Sequence, residues 1–366
     1  MQDDVSSPES PAQQNRLADF FTHAEHAFDQ AASRAGTCVR YFRIAGQGIC
    51  FRLAGQRVTD AITPVFAHLA MEQGAMETDL TILLWDSKSS GIEMPALPWD
   101  RSRFSARGDI EGVNHSRFKV SFPVFSGMVH LLDADRGRAI FWVKDIQQLD
   151  AGTRAKPLLH IFHWWLLARQ CQILHGGIIG LPSGAAFLAG LGGAGKSTTA
   201  LSCLAADLFY LADDLGMIET GNTFQAHSLF CSGMLYEPDL RLLPFLKPAV
   251  CETGRTAADK TLLLLHPHFR RQLTSSLPLS VIFLPRLCDR IDTTWQPAPI
   301  HEARRALMGC TINMLLSSTL PVTIRNIARI VKHVPCYYLN LGKDRQKVPA
   351  AIRSALECFN EANGQR

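Results

Sequence analysis

Residues 190–197 read Gly-Leu-Gly-Gly-Ala-Gly-Lys-Ser, a complete G-x-x-x-x-G-K-[ST] segment. A chain that curls tightly enough to point successive backbone N–H groups at a phosphate leaves no room for side chains. The glycines at 190, 192, 193 and 195 meet that demand, with Ala194 as the small residue between them. In such a loop Lys196 reaches the β- and γ-phosphates, and the hydroxyls of Ser197 and Thr198 come within reach of a bound metal and a phosphate. The flanks agree. Ala185–Ala189 is a short apolar run of strand length, and Lys196–Leu204 has helical character. Strand, glycine loop and helix therefore follow in the order that phosphate binding requires, with the positive end of the helix at the loop. The expectation is a nucleoside triphosphate ligand.

The rest of the chain is read around that loop. Its 366 residues suffice for two domains, and 47% hydrophobic with 19% charged residues fits a globular protein with a sizeable core. A net charge of +4 with no basic run argues against nucleic acid as a partner. The ten cysteines are scattered singly without a C-x-x-C pair, which argues against a zinc site or a disulfide framework and for buried thiols in a reducing cytoplasm. The first fifteen residues are polar and acidic, the reverse of a signal peptide, and are expected as a disordered tail. The most apolar helical stretch, 158–171, is too short to span a bilayer and carries His160, His163 and Arg169.

Residues 16–150 read as an α+β unit of unknown role. A helix over 16–32 precedes a hairpin about Ala45–Gln47, and a helix over 60–71 is followed by a strand over 78–85. After a loop over 86–107, the segments 118–123, 128–133 and 138–143 alternate as antiparallel strands. His23, His26, His115 and His130 fall singly there and read as surface or packed residues. Residues 151–366 read as an α/β unit around the phosphate loop. The helix over 157–170 buries a stripe of Leu159, Phe162, Trp165 and Leu166. The stretch 230–256, with three prolines and little periodicity, reads as a functional lid or binding loop. Thr261–Leu265 and Leu279–Leu284 read as strands buried on both faces.

Three features outside the loop bear on chemistry: His175 at a strand end, the Asp213-Asp214 pair ending the strand after the loop helix, and the basic residues Arg255, Lys260, Arg286 and Arg290. Phosphoryl transfer needs charge neutralisation at the γ-phosphate, a metal bridge and a carboxylate near the attacking hydroxyl. Lys196 with the loop amides serves the first need, Ser197 with one aspartate the second, and the other aspartate the third. His175 can hydrogen-bond one carboxylate and tune it. Arg286, beside Pro285 at a strand end, is the basic residue best placed to clamp phosphate.

The order L-H-G-G (174–177), G-x-x-x-x-G-K-S-T-T (190–199) and Y-L-A-D-D (210–214) resembles the HPr serine kinase/phosphorylase group. It resembles still more the broader HPr-kinase-related proteins, which include kinases of lasso-peptide precursors. The resemblance covers about residues 158–229, does not reach residues 1–150, and lacks the downstream glycine-rich signature of HPr kinases proper. It implies an ATP-dependent serine kinase using Mg²⁺, with His175, Asp213, Asp214 and Lys196 at the transfer site; Ser197 and Asp214 are the candidates for the metal, and which aspartate does which job stays open. It also implies a mixed, mostly parallel sheet related to that of phosphoenolpyruvate carboxykinase. The acceptor is expected to be a serine of a peptide or protein, in a cytoplasmic enzyme that can be a homo-oligomer. Two other readings stay open: a kinase of small-molecule or sugar hydroxyls, and a non-catalytic nucleotide-gated regulatory module. No LSGGQ-like segment points to a transport ATPase, and no N-K-x-D segment to a GTPase.

Overall fold

A long amphipathic helix, Pro11–Ala35, lays Leu17, Phe20, Phe21, Ala24, Phe28 and Ala31 into the core at spacings of three and four. The computed structural model describes residues 11–105, 107–110, 113, 117–123, 127–254, 256 and 259–364. Residues 11–15, expected in the tail, belong to the helix instead, because proline is tolerated at a first helical position. The remainder of that tail, His115 and Arg255 lie outside the described residues.

The helix packs on a seven-stranded sheet in the order Ala70–Met71, Thr37–Ile44, Gln47–Ala54, Leu80–Asp86, Arg138–Val143, Met128–Asp133, Phe118–Ser121. The first hairpin turns on Ala45 and Gly46, both at positive φ, as a two-residue turn between twisted strands demands. The last three strands are antiparallel as expected. Leu80–Asp86, however, runs parallel to both of its neighbours. The expected helix over 60–71 splits into Gln56–Ile62 and a 3-10 turn, Thr63–Leu69, which begins just before Pro64.

The phosphate loop belongs to a nine-stranded sheet. Its main path is Phe209–Ala212, Gly177–Leu181, Gly184–Leu188, Ser276–Leu287, Phe224–His227, Leu215–Thr220, Cys171–His175. Cys336–Leu341 adds beside Ser276–Leu287, and Thr294–Pro297 beside Cys336–Leu341. The fold is mixed α/β, but the sheet is not mostly parallel. Only Ser276–Leu287 makes parallel pairs, with Gly184–Leu188 and Cys336–Leu341. The reason lies in the connections. Leu181 reaches Gly184, and Thr220 reaches Phe224, through turns too short for the crossover that parallel neighbours require.

The stretch expected as a lid is ordered. Ser232–Leu235 and Val250–Glu252 flank Thr261–Leu264 in a three-stranded sheet, with a helix, Glu237–Leu242, and a 3-10 turn, Pro244–Ala249, between them. Strands of three or four residues carry too little alternation to register as periodic, and Leu235, Leu240, Leu243 and Leu246 are all buried.

One hydrophobic cluster crosses residue 150. Phe42, Phe51 and Phe66 pack with Phe162 and Trp165 of the helix Leu159–Leu167, and the same cluster takes in Ile173, Met217 and Phe230. The tryptophan-rich helix is thus shared core between the two large sheets. Among the described residues no helix is long and apolar enough to cross a membrane.

Candidate active site

Gly184–Leu188 runs into the glycine loop, and the helix Lys196–Ser202 leaves it. Gly193 (φ 80°) and Gly195 (φ 88°) occupy the left-handed region, which a side chain would strain. A Cβ on Gly195 would also stand 2.8 Å from Leu341 Cδ1, so the adjoining strand leaves the loop no spare width there. The Lys196 side chain is buried, and its ammonium donates to the carbonyls of Gly190 (2.6 Å) and Leu191 (3.0 Å). Burial lowers its pKa, opposed by the charges of Cys310, Asp214 and Asp213.

The two aspartates end the strand Phe209–Ala212 and part company there. Asp213 is buried beneath the loop helix. Its Oδ2 accepts from Met234 N at 2.9 Å, its Oδ1 is buried without a hydrogen-bond partner, and its carboxyl interacts with the Ser197 side chain. Burial, then the neighbouring Asp214, raises the Asp213 pKa. Met234 comes from the stretch expected as a lid, so that stretch is built into the site's floor.

Asp214 turns toward the cavity. Lys156 donates from its ammonium to Oδ2, and His175 Nδ1 lies 3.1 Å from Oδ1 without the alignment of a good hydrogen bond. Burial by itself would raise the Asp214 pKa. His175 and Lys156 outweigh it, and the carboxyl titrates well below the usual carboxylate range. His175 owes its place to pairing: it stands opposite Leu215, while Gly176 N donates to Asp214 O at 3.0 Å. A side chain at 176 would collide with the Phe187 ring (2.4 Å) and Leu188 O (2.5 Å), which accounts for glycine beside the histidine.

One small cavity, about 190 Å³, gathers most of the expected site. His175, Lys196, Ser197, Thr198 and Asp214 line it, with Gly192, Gly193 and Gly195 of the loop. Gly190 and Ala194 shape the loop without reaching the wall, and Asp213 lines only a void of about 10 Å³ beneath, shared with Lys156 and Asp214. The cavity is smaller than the ~300 Å³ at which pockets for drug-sized ligands begin.

Of the four basic candidates, Lys260 lines this cavity, 5.3 Å from the Tyr236 ring centroid. Arg286 does not. Its guanidinium donates to Asn340 Oδ1 (2.6 Å) and stacks 3.9 Å from the Tyr338 ring centroid on the adjacent strand. Arg290 is exposed and away from the wall. Sequence reasoning missed Lys156 and Arg345, of which Arg345 lines the cavity. Neither sits in a motif. The Lys-Pro at 156–157 reads only as a helix start, and its partner is 58 residues away.

No family model matches the chain, and no curated protein matches it. Among solved structures it is similar to that of the Hpr(Ser) kinase/phosphatase from Coxiella burnetii, at 9% identity and a TM-score of 0.31, covering 53% of this chain and 99% of that one. The residue assignments rest on the geometry alone.

Proposed function

We propose that the chain is an ATP-dependent phosphotransferase that moves the γ-phosphate to a hydroxyl, most naturally a serine of a peptide or protein. The observation that carries the reading is the cavity shared by Lys196, Ser197 and Asp214, with His175 and Lys156 fixing the Asp214 carboxylate. A binding module that only sensed nucleotide would have no use for an ionised, doubly braced carboxylate facing the phosphate loop.

The donor set near Ser197 is one of hard oxygens, which suits Mg²⁺. Asp213 Oδ1, buried and unpartnered beside Ser197, is the natural second ligand. Of the two aspartates whose roles the sequence leaves open, Asp214 is the poorer metal ligand, because the Lys156 ammonium on its Oδ2 would repel a second cation. When bound, the ion would neutralise charge shared between the β- and γ-phosphates.

The chain's own residues do the rest. The loop amides and Lys196 hold the triphosphate, and Asp214 orients the acceptor hydroxyl and takes its proton. The acceptor oxygen bonds to the γ-phosphorus as the bond to the β-phosphate oxygen breaks, and ADP leaves. His175 and Lys156 keep Asp214 aimed and ionised. The test is ADP release from ATP with and without hydroxyl-bearing peptides and sugars. Release that depends on a peptide supports the reading, release that depends on a sugar supports the small-molecule alternative, and tight ATP binding with no acceptor-dependent release removes the enzyme altogether.

A further inference from the structure

A cavity larger than that of the site lies outside it. About 660 Å³ opens beyond Asp86 and Val143, where the parallel strands Leu80–Asp86 and Arg138–Val143 end side by side. In open sheets the crevice beyond the carboxyl ends of parallel strands is where ligands bind. Its wall is polar and built. Ser87 Oγ, buried at its base, accepts from Trp142 Nε1 at 2.9 Å and lies 3.0 Å from Glu93 Oε2. Gln148, Leu149 and Asp150 form its far side and also line a second cavity of about 470 Å³. That second cavity shares Met234 and Lys260 with the phosphate-loop cavity. The three cavities thus share wall residues in series, from the end of the N-terminal sheet to Asp214.

We infer that these neighbouring cavities form one trench that seats an extended segment of a polypeptide acceptor, whose hydroxyl-bearing residue lies at Asp214 and whose flanking residues run through to Lys144. The inference rests on the phosphotransferase reading for its orientation, and on the trench for its length. The two outer cavities each match or exceed the inner one in volume, and neither is needed by a sugar or a free amino acid. The charges fit polypeptide and oppose nucleic acid. With Glu252 paired to Arg154, the lining residues Glu93, Asp145, Asp150 and Asp259 still outnumber Lys88, Lys144 and Lys260 among the described residues of the outer cavities. Such a wall repels a phosphate backbone. It favours a segment with basic side chains near its middle, opposite Asp150 and Asp259.

The test uses the full-length chain with a library of serine-containing peptides of graded length. In one arm, labelled ATP reports transfer. In the other, a photo-crosslinking residue placed at Gln148 captures peptide, and mass spectrometry locates it. Peptides of about ten residues should be phosphorylated at least ten-fold better than free serine or a tripeptide. Gln148→Trp, which fills the junction of the outer cavities, should raise their KM by the same order while leaving the KM for ATP unchanged. Transfer with no length preference, no effect of Gln148→Trp and no crosslink would overturn the trench and leave the kinase standing. Crosslinked peptide without transfer would keep the trench and remove the kinase. Neither transfer nor crosslink would overturn both.

Discussion

Lys156 and Asp214 form an ion pair across 58 residues of sequence, and that pair ties the segment leading into the tryptophan-rich helix to the end of the strand behind the phosphate loop. Its surroundings reinforce the tie. Ser232 Oγ donates to Ala155 O at 2.6 Å, and Arg154 pairs with Glu252. The residues just before Pro157 are thus anchored to the small sheet and to the Asp214 carboxylate together.

Replacing Lys156 by Met leaves a partly buried carboxylate short of one partner. Losing such a partner costs about 1–3 kcal/mol. Thermal melts should show the midpoint falling by several degrees, and acceptor-dependent turnover should fall while ATP affinity changes little. Lys156→Arg should recover part of both. An unchanged melt and unchanged turnover would show the pair to be incidental.

The two aspartates should fail differently. Asp214→Asn keeps the shape but loses the proton acceptor, so kcat should fall by about 10²–10⁴-fold with ATP binding nearly intact. Asp213→Asn should weaken the Mg²⁺ dependence, seen as a rightward shift of the metal titration of turnover. If instead Asp214→Asn shifts the metal titration and Asp213→Asn does not, the roles are exchanged.

His163 should be a cost to stability. Its ring is buried, both nitrogens lack partners, and burial, with nearby His160, pushes its pKa down to about 3. The unfolded chain binds the proton near pH 6.5 and the folded chain does not, so this group weakens folding as pH falls from 6.5 toward 3. One unmatched proton is worth about 1.4 kcal/mol per pH unit across that window. His163→Leu should raise stability at neutral pH by about 1–2 kcal/mol. It should also flatten the acid limb of stability against pH, as measured by urea unfolding. A steeper acid limb in the variant would contradict the assignment.

Gly176→Ala should damage the site from behind. The new Cβ meets Phe187 and the Leu188 carbonyl well inside contact distance, and overpacking of this kind costs about 1–3 kcal/mol. Because Gly176 follows His175 and bonds to Asp214 O, turnover should drop beyond what the lost stability explains. Denaturant unfolding alongside turnover at matched folded fraction separates the two effects.

Much of this was legible in the linear sequence, and for a physical reason. A backbone that must wrap a phosphate restricts its own residues, so the glycine loop, its strand, its helix and the aspartate pair are local patterns. The structure brings Lys196, Ser197, Thr198, Asp214 and His175 to one wall as those patterns imply. Most of the first helix, expected over 16–32, was legible for a similar reason, since apolar spacing of three and four is read within a single element. Strand direction was not. Whether neighbours run parallel depends on the length of connections and on which strands meet, and short turns made this sheet mostly antiparallel. Nor could local pattern show that Arg286 is taken up by Asn340 and Tyr338, that Met234 reaches back to Asp213, or that Lys156 reaches Asp214. Those contacts join residues 21 to 58 positions apart, and only packing the elements together decides which charged group meets which.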